Sequence, residues 1–204
     1  MSGKITRRDA ILKGTVLAGF AATGVHLIKK ADGQIVWEID GAKCINSKLG
    51  ELTAEACDLC TVECVVTQSA VRAVNHHSEC GRCYICPAYF KVTSAVDENG
   101  LPSEKLCPRD AIERKAIGWV DPEDPANNFY DYIIDEEKCD GCGKCVMECK
   151  EPAGLGSIRL EVRHNLCVGC NRCAISTVCP NDALSQLPAT AVPEPEPAES
   201  ESQT

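Results

Sequence analysis

Six short stretches of the chain have the pattern of β-strands, and apolar and polar residues alternate in the first two of them. Around them a cysteine loop, a short helical turn and a strand recur four times as one unit. The predicted strands are residues 34–40, 70–74, 111–117, 129–134, 157–162 and 183–187. The pattern predicts an α+β fold built from short elements.

The sixteen cysteines of this 204-residue chain fall into four quartets with none left over. Aromatic residues make up only 4% of the chain, so we expect disulfides or metals to supplement a small apolar core. The quartets are Cys44, Cys57, Cys60 and Cys64; Cys80, Cys83, Cys86 and Cys107; Cys139, Cys142, Cys145 and Cys149; Cys167, Cys170, Cys173 and Cys179.

The third quartet is the most regular, with the run Cys139-Asp-Gly-Cys142-Gly-Lys-Cys145-Val-Met-Glu-Cys149. A run of this spacing is typical of a [4Fe–4S] cluster. Near neighbours in a tight loop are poor disulfide partners, and zinc typically uses two Cys-x-x-Cys pairs for each site. We therefore predict that all sixteen cysteines are metal ligands and hold four [4Fe–4S] clusters, with disulfides and zinc as the alternatives.

The fourth cysteine of such a run usually ligates the other cluster of a pair. Applied within each half of the chain, this rule predicts four ligand sets. They are Cys44, Cys57, Cys60 with Cys107; Cys80, Cys83, Cys86 with Cys64; Cys139, Cys142, Cys145 with Cys179; and Cys167, Cys170, Cys173 with Cys149.

The same rule predicts two tandem ferredoxin-like domains of the bacterial two-cluster type, at residues 31–118 and 129–190. Residues 119–128 are rich in turn formers and are the expected linker. The long gap between Cys86 and Cys107 leaves room for an inserted loop around residues 91–105. The Pro- and Glu-rich residues 191–204 are predicted to be disordered.

The first thirty residues have the pattern of a targeting segment. Arg7 and Arg8 precede an apolar stretch at residues 14–28, as in a twin-arginine export signal. No clean cleavage site follows, so membrane association through residues 11–28 is one alternative and a soluble amphipathic helix is another. The net charge of −9 argues against nucleic acid as a partner and suits a basic protein surface.

Cys44-Ile-Asn, Cys57-Asp-Leu-Cys60 with Cys64, and the third quartet resemble the exported polyferredoxins of the NapG/MauM type. The wider relatives are the four-cluster electron-transfer subunits of DMSO reductase and of the NrfC type. The resemblance covers roughly residues 40–187. It implies a protein of the periplasm or the outer face of the cytoplasmic membrane, without catalytic residues. Such a protein relays single electrons between a membrane quinol-oxidising subunit or cytochrome and a molybdo- or haem reductase.

The alternative function is a redox enzyme subunit in which one open or three-iron cluster acts on a small molecule. Four clusters would use all sixteen cysteines, which leaves no iron obviously open and favours the electron carrier.

Overall fold

The computed structural model describes residues 35–47, 56–150 and 154–189. The predicted export signal at residues 1–30 and the predicted acidic tail at residues 191–204 lie outside these ranges. Within them, no helix has both the length and the apolar character needed to cross a membrane.

Short strands and a few short helices alternate along the described chain, which is a mixed α and β structure. The strands are β1 (Ile35–Ile39), β2 (Val71–Asn75), β3 (Ile112–Ile117), β4 (Phe129–Ile134), β5 (Ile158–Val162) and β6 (Leu184–Pro188). The helices are α1 (Leu59–Val62), α2 (Lys144–Cys149) and α3 (Ala174–Val178), with a 3-10 helix at Pro125–Asn127. All six predicted strands are confirmed to within one residue at either end.

The second repeat unit differs from the others because its described residues contain no α-helix after the third cysteine. The chain instead turns at Cys86, whose carbonyl oxygen accepts hydrogen bonds from the backbone N–H groups of Tyr89 and Phe90 at 3.1 and 2.9 Å. An inserted loop follows, closed by isolated bridges between Phe90 and Lys105 and between Val96 and Pro102. The predicted insertion around residues 91–105 is confirmed.

The strands pair across the two halves of the chain. β1 pairs with β6, β2 with β5, and β3 with β4. The last two pairs are antiparallel, with Val71 opposite Val162 and Ile112 opposite Ile134. This pairing corrects the expectation of two tandem domains at residues 31–118 and 129–190, because each pair joins a strand of one half to a strand of the other. Alternating residues predict that a strand exists, but they do not specify its partner.

The resulting topology is nested. β1 leads into the first quartet and pairs with β6, which follows the fourth; β2 follows the first quartet and pairs with β5, which precedes the fourth, so the second and third quartets lie between β2 and β5 in the chain. β2 and β5 therefore border both the outer pair of units and the inner pair. Their position explains their burial: Val71, Ala73, Ile158 and Leu160 are all at most 3% exposed.

Residues 119–128 do not separate two domains in this structure. They form the loop of the hairpin that pairs β3 with β4. The Asn128 side chain fixes this loop by accepting a hydrogen bond from the Asp121 N–H at 2.8 Å and donating to the Asp121 carbonyl at 3.0 Å. The turn residues were therefore correctly recognised, but they connect partner strands and are not a linker.

By their internal contacts, the residues fall into two compact units. The smaller unit comprises Met1–Val36 and Leu187–Glu194, of which the structure describes residues 35, 36 and 187–189. The larger unit contains Trp37–Gln186 and with it all sixteen cysteines. Both predicted ferredoxin-like halves thus contribute to one unit.

Two glycines of the third cysteine loop allow the halves of the larger unit to approach closely. A Cβ atom on Gly141 would lie 2.5 Å from the carbonyl oxygen of Val71, and one on Gly143 would lie 2.9 Å from Cγ of Asn46. Both residues also have left-handed backbone conformations, with φ of 76° and 75°. Glycine is needed here for its conformation and for its lack of a side chain.

We predict that Gly143→Ala destabilises the protein more than Gly100→Ala does. Gly100 has the same left-handed φ of 76°, but a Cβ atom there would meet nothing within 4 Å. Each alanine should cost about 1–2 kcal/mol in backbone strain, and Gly143→Ala should cost about 1–3 kcal/mol more through overpacking against Asn46. Urea unfolding followed by circular dichroism measures the difference, and equal losses would contradict the close approach.

Candidate metal centres

The structure groups the sixteen cysteines into four sets of four, which we call sites A to D. Site A is Cys44, Cys57, Cys60 and Cys179; site B is Cys80, Cys83, Cys86 and Cys149; site C is Cys139, Cys142, Cys145 and Cys107; site D is Cys167, Cys170, Cys173 and Cys64. Each site takes three cysteines from one quartet and the fourth from another.

Sites A and D are seen directly as cavities lined by their own four cysteines. The site A cavity encloses about 390 Å³, with Ile39 and Asn46 among its other lining residues. The site D cavity encloses about 420 Å³ and is lined also by Trp37 and Val71. Each space is partly open to solvent.

Sites B and C are identified by thiols that lie close enough to raise one another's pKa. Burial, together with the neighbouring thiols of Cys149 and Cys80, raises the pKa of Cys86 to about 12. In site C, burial raises the pKa of Cys145 well above its ordinary value, and Cys139, Cys142 and Cys107 act in the same direction. Cys107 is thus beside the third quartet, and Cys149 is beside the second.

These groupings agree with the expected exchange of fourth cysteines but correct the expected partners. The first quartet exchanges with the fourth and the second with the third, whereas the tandem arrangement pairs the first with the second and the third with the fourth. The strand pairing is the physical reason: β1 leads into the Cys44 loop and lies beside β6, which follows Cys179.

Each short helix connects two sites. Cys60 of site A lies on α1, and Cys64 of site D follows its end; Cys173 of site D and Cys179 of site A flank α3. Helices α1 and α3 also contact each other. In the same way α2 contains Cys145 of site C and Cys149 of site B. The four sites therefore form two linked pairs, A with D and B with C.

Backbone N–H groups donate hydrogen bonds to sulfur atoms of the sites. Ala73 N–H donates to Cys139 Sγ at 3.4 Å, Ala111 N–H to Cys107 Sγ at 3.4 Å, and Ala183 N–H to Cys179 Sγ at 3.3 Å. The last two belong to matching Cys-Pro-x-Asp-Ala segments. Such N–H groups favour the thiolate form over the thiol and tune a bound metal.

In each matching segment, the aspartate forms the turn that directs the alanine N–H toward the cysteine sulfur. Asp110 and Asp182 have φ of 51° and 48°, in the left-handed region that aspartate tolerates better than most residues. The turn brings the following alanine N–H back onto the cysteine four residues earlier. This motif is shared by Cys107 and Cys179, two of the four cysteines that lie in another quartet's site; Cys64 and Cys149 lack it.

Asn46 closes the unusually long gap between Cys44 and Cys57. Its side chain accepts a hydrogen bond from Cys57 N–H at 2.8 Å and donates to the Cys57 carbonyl at 2.8 Å. It is only 1% exposed. Sequence reasoning missed Asn46, and the only available signal was its position two residues after a ligand cysteine.

An aromatic cluster supports the loop of site B and was also missed. Tyr132, only 1% exposed, donates its hydroxyl to the Cys83 carbonyl at 2.7 Å. Arg114 donates to the Tyr84 carbonyl at 2.9 Å, and its guanidinium lies 3.5 Å from the centre of the Tyr130 ring. These residues are spread over the second repeat unit and the β3–β4 hairpin, so no local motif reveals them.

The donor set at each site fits an iron–sulfur cluster. Burial, together with the neighbouring thiols of Cys44, Cys57 and Cys179, raises the pKa of Cys60 to about 12. Such thiols stay protonated unless a bound metal supplies positive charge, because metal coordination deprotonates a thiol. Among the described residues, no three His, Cys, Asp or Glu side chains are arranged to hold a single metal ion. A cubane holds four iron atoms between its thiolates and so separates the sulfurs more widely than one zinc ion would.

Comparison with known proteins agrees with this chemistry. The family model described as a 4Fe-4S binding domain matches residues 133–155, a range that contains the whole third quartet. No solved structure matches the chain. The match at residues 133–155 thus supports an iron–sulfur protein with at least one [4Fe–4S] binding segment.

We predict that Cys179→Ala exposes the other three cysteines of site A. Thiols that ligate metal resist alkylation, so loss of the fourth ligand should make Cys44, Cys57 and Cys60 reactive toward iodoacetamide in anaerobically purified protein. Peptide mass spectrometry identifies the modified residues. The tandem pairing predicts instead that Cys139, Cys142 and Cys145 become reactive, and that result would refute site A. Cys64→Ala is the reciprocal control and should expose Cys167, Cys170 and Cys173.

Proposed function

We propose that this protein is an electron-transfer subunit that carries four [4Fe–4S] clusters, one at each of sites A to D. The observation that supports it most strongly is the use of all sixteen cysteines in four separate sets of four. A bound [4Fe–4S] cluster would supply one-electron exchange. The chain itself supplies thiolates, N–H donors to sulfur and buried surroundings.

The contacts between sites support a series in the order D, A, C and B. The pairs A–D and C–B share helices, as described above. Between A and C, the Thr61 hydroxyl of α1 donates to the Asp140 carbonyl in the Cys139 loop at 2.9 Å, and Asn46 lies against Gly143. Sites D and B then form the two ends of the series.

Surface exposure suits sites B and D as the points where electrons enter and leave. Cys83 of site B is the one cysteine classed as exposed in the described chain. At site D, Val65 and Val168 line the cavity and are 66% and 67% exposed. A partner that covers either surface would bring its own redox group close to the ligands of an end site.

The partners we propose are a membrane quinol-oxidising subunit or cytochrome at one end and an oxidoreductase at the other. The resemblance to exported polyferredoxins and the net charge of −9, which favours a basic docking surface, support this assignment. With it we propose export to the periplasm or the outer face of the cytoplasmic membrane, on the basis of Arg7 and Arg8 in residues 1–30.

We predict that anaerobically purified protein contains about sixteen iron atoms and about sixteen acid-labile sulfides per chain, as four cubanes require. Elemental analysis and sulfide assay measure both. Low-temperature electron paramagnetic resonance of the reduced protein should show interacting [4Fe–4S] signals and no three-iron signal in the oxidised state. Zinc, or thiols joined as disulfides without iron, would contradict the proposal.

A further inference from the structure

Arg72 is a charged residue buried at the centre of the nested strands. It lies on β2 and only 2% of its surface is exposed. Its guanidinium donates to three backbone carbonyls: Nε to Glu136 at 2.8 Å, and Nη1 to Val71 at 2.9 Å and to Ser69. In the described ranges, none of the ion pairs involves Arg72.

These carbonyls satisfy the hydrogen-bonding capacity of Arg72 but leave its charge unbalanced. Burying a cation without an anion is costly. Arginine also cannot relieve this cost by losing its proton, since its guanidinium stays protonated in proteins. A buried arginine held only by carbonyls therefore calls for a negative group nearby.

Site C is the negative group that the geometry offers. Ala73, the next residue of β2, donates its N–H to Cys139 Sγ at 3.4 Å. On the other side, the Val71 carbonyl lies against Gly141 of the Cys139 loop. The backbone on both sides of Arg72 thus contacts the site C loop.

Arg163 provides an internal comparison. It follows β5, the partner of β2, and its backbone N–H donates to the Ala70 carbonyl at 2.8 Å. Its Nη2 atom lies 2.8 Å from Oε1 of Glu136, so a carboxylate already balances its charge. Arg72 meets only the backbone carbonyl of this glutamate. Arg159 on β5 is likewise paired with a glutamate, Glu79, whereas Arg72 on β2 has site C.

We propose that Arg72 is the built-in counter-ion of site C and raises the reduction potential of the group bound there. This inference rests on the proposed function. A [4Fe–4S] cluster with four thiolates is negatively charged and becomes more negative on reduction, so a fixed neighbouring cation stabilises the reduced state more than the oxidised one. Removing the charge should therefore lower the potential of one centre among the four.

Three variants separate the charge of Arg72 from its hydrogen bonds. Arg72→Gln removes the charge but keeps an amide donor for the carbonyls. Arg72→Lys keeps the charge but loses the planar fork of donors. Arg163→Gln is the matched control, because it removes a charge that is already paired. Iron is counted for each purified protein, and the reduction steps are measured by potentiometric titration with electron paramagnetic resonance.

The expected result is a shift of one reduction step to a more negative potential in Arg72→Gln, with smaller or no shifts in Arg72→Lys and Arg163→Gln. If Arg72→Gln fails to retain iron while Arg72→Lys retains it, the charge is needed for loading, which also supports a counter-ion. Unchanged potentials in a fully loaded Arg72→Gln protein would overturn the inference. So would equal shifts, or equal loss of iron, in the Gln and Lys variants. A wild-type protein without iron would overturn the proposed function itself.

Discussion

The antiparallel pairing of β2 with β5 is the constraint on which the rest of the structure depends. It places the strand after the first cysteine quartet beside the strand before the fourth, with Val71 opposite Val162 and Asn75 opposite Ile158. The same two strands border the second and third quartets. Since side chains alternate along a strand, a slip of one residue would turn Ala73 and its neighbours to the wrong face. The register thus decides which thiols can converge.

A chain with so few aromatic residues builds only a small apolar core, and most of its core residues lie around the cysteines. Val71, Val146 and Tyr132 are each 1% exposed and are packed in one cluster with Cys139 and Cys149. Folding and metal binding are then coupled, because the thiols are buried together and need positive charge from a metal to become thiolates. The same reasoning applies to Arg72, because its buried positive charge needs negative charge from site C. In such a protein the core and the functional centres are largely the same residues.

Much of the local structure could be predicted from the sequence, but the pairing of the strands and the exchange of cysteines between quartets could not. Strands such as residues 34–40 were predictable because alternation is a local signal, and the cysteine loops were predictable because their spacing is local. Tandem and nested arrangements use identical local units, so the choice between them depends on distant contacts. Asn46 with Gly143 and Thr61 with Asp140 are such contacts, and neither is visible in the residues around it. The hairpin loop at residues 119–128 shows the same limit, because a turn signal does not reveal whether the flanking strands pair.

Our central claim is that every site takes cysteines from both halves of the chain. The most direct test is to cut the chain between Gly118 and Trp119, in the β3–β4 loop. The two segments are produced separately and together, and bound iron is measured after anaerobic purification. Each site takes cysteines from two quartets, and every exchange crosses this cut. Our account therefore predicts that neither segment alone retains clusters, and that co-production restores about sixteen iron atoms per pair of segments. Stable binding of about eight iron atoms by each segment alone, as two cubanes, would contradict it.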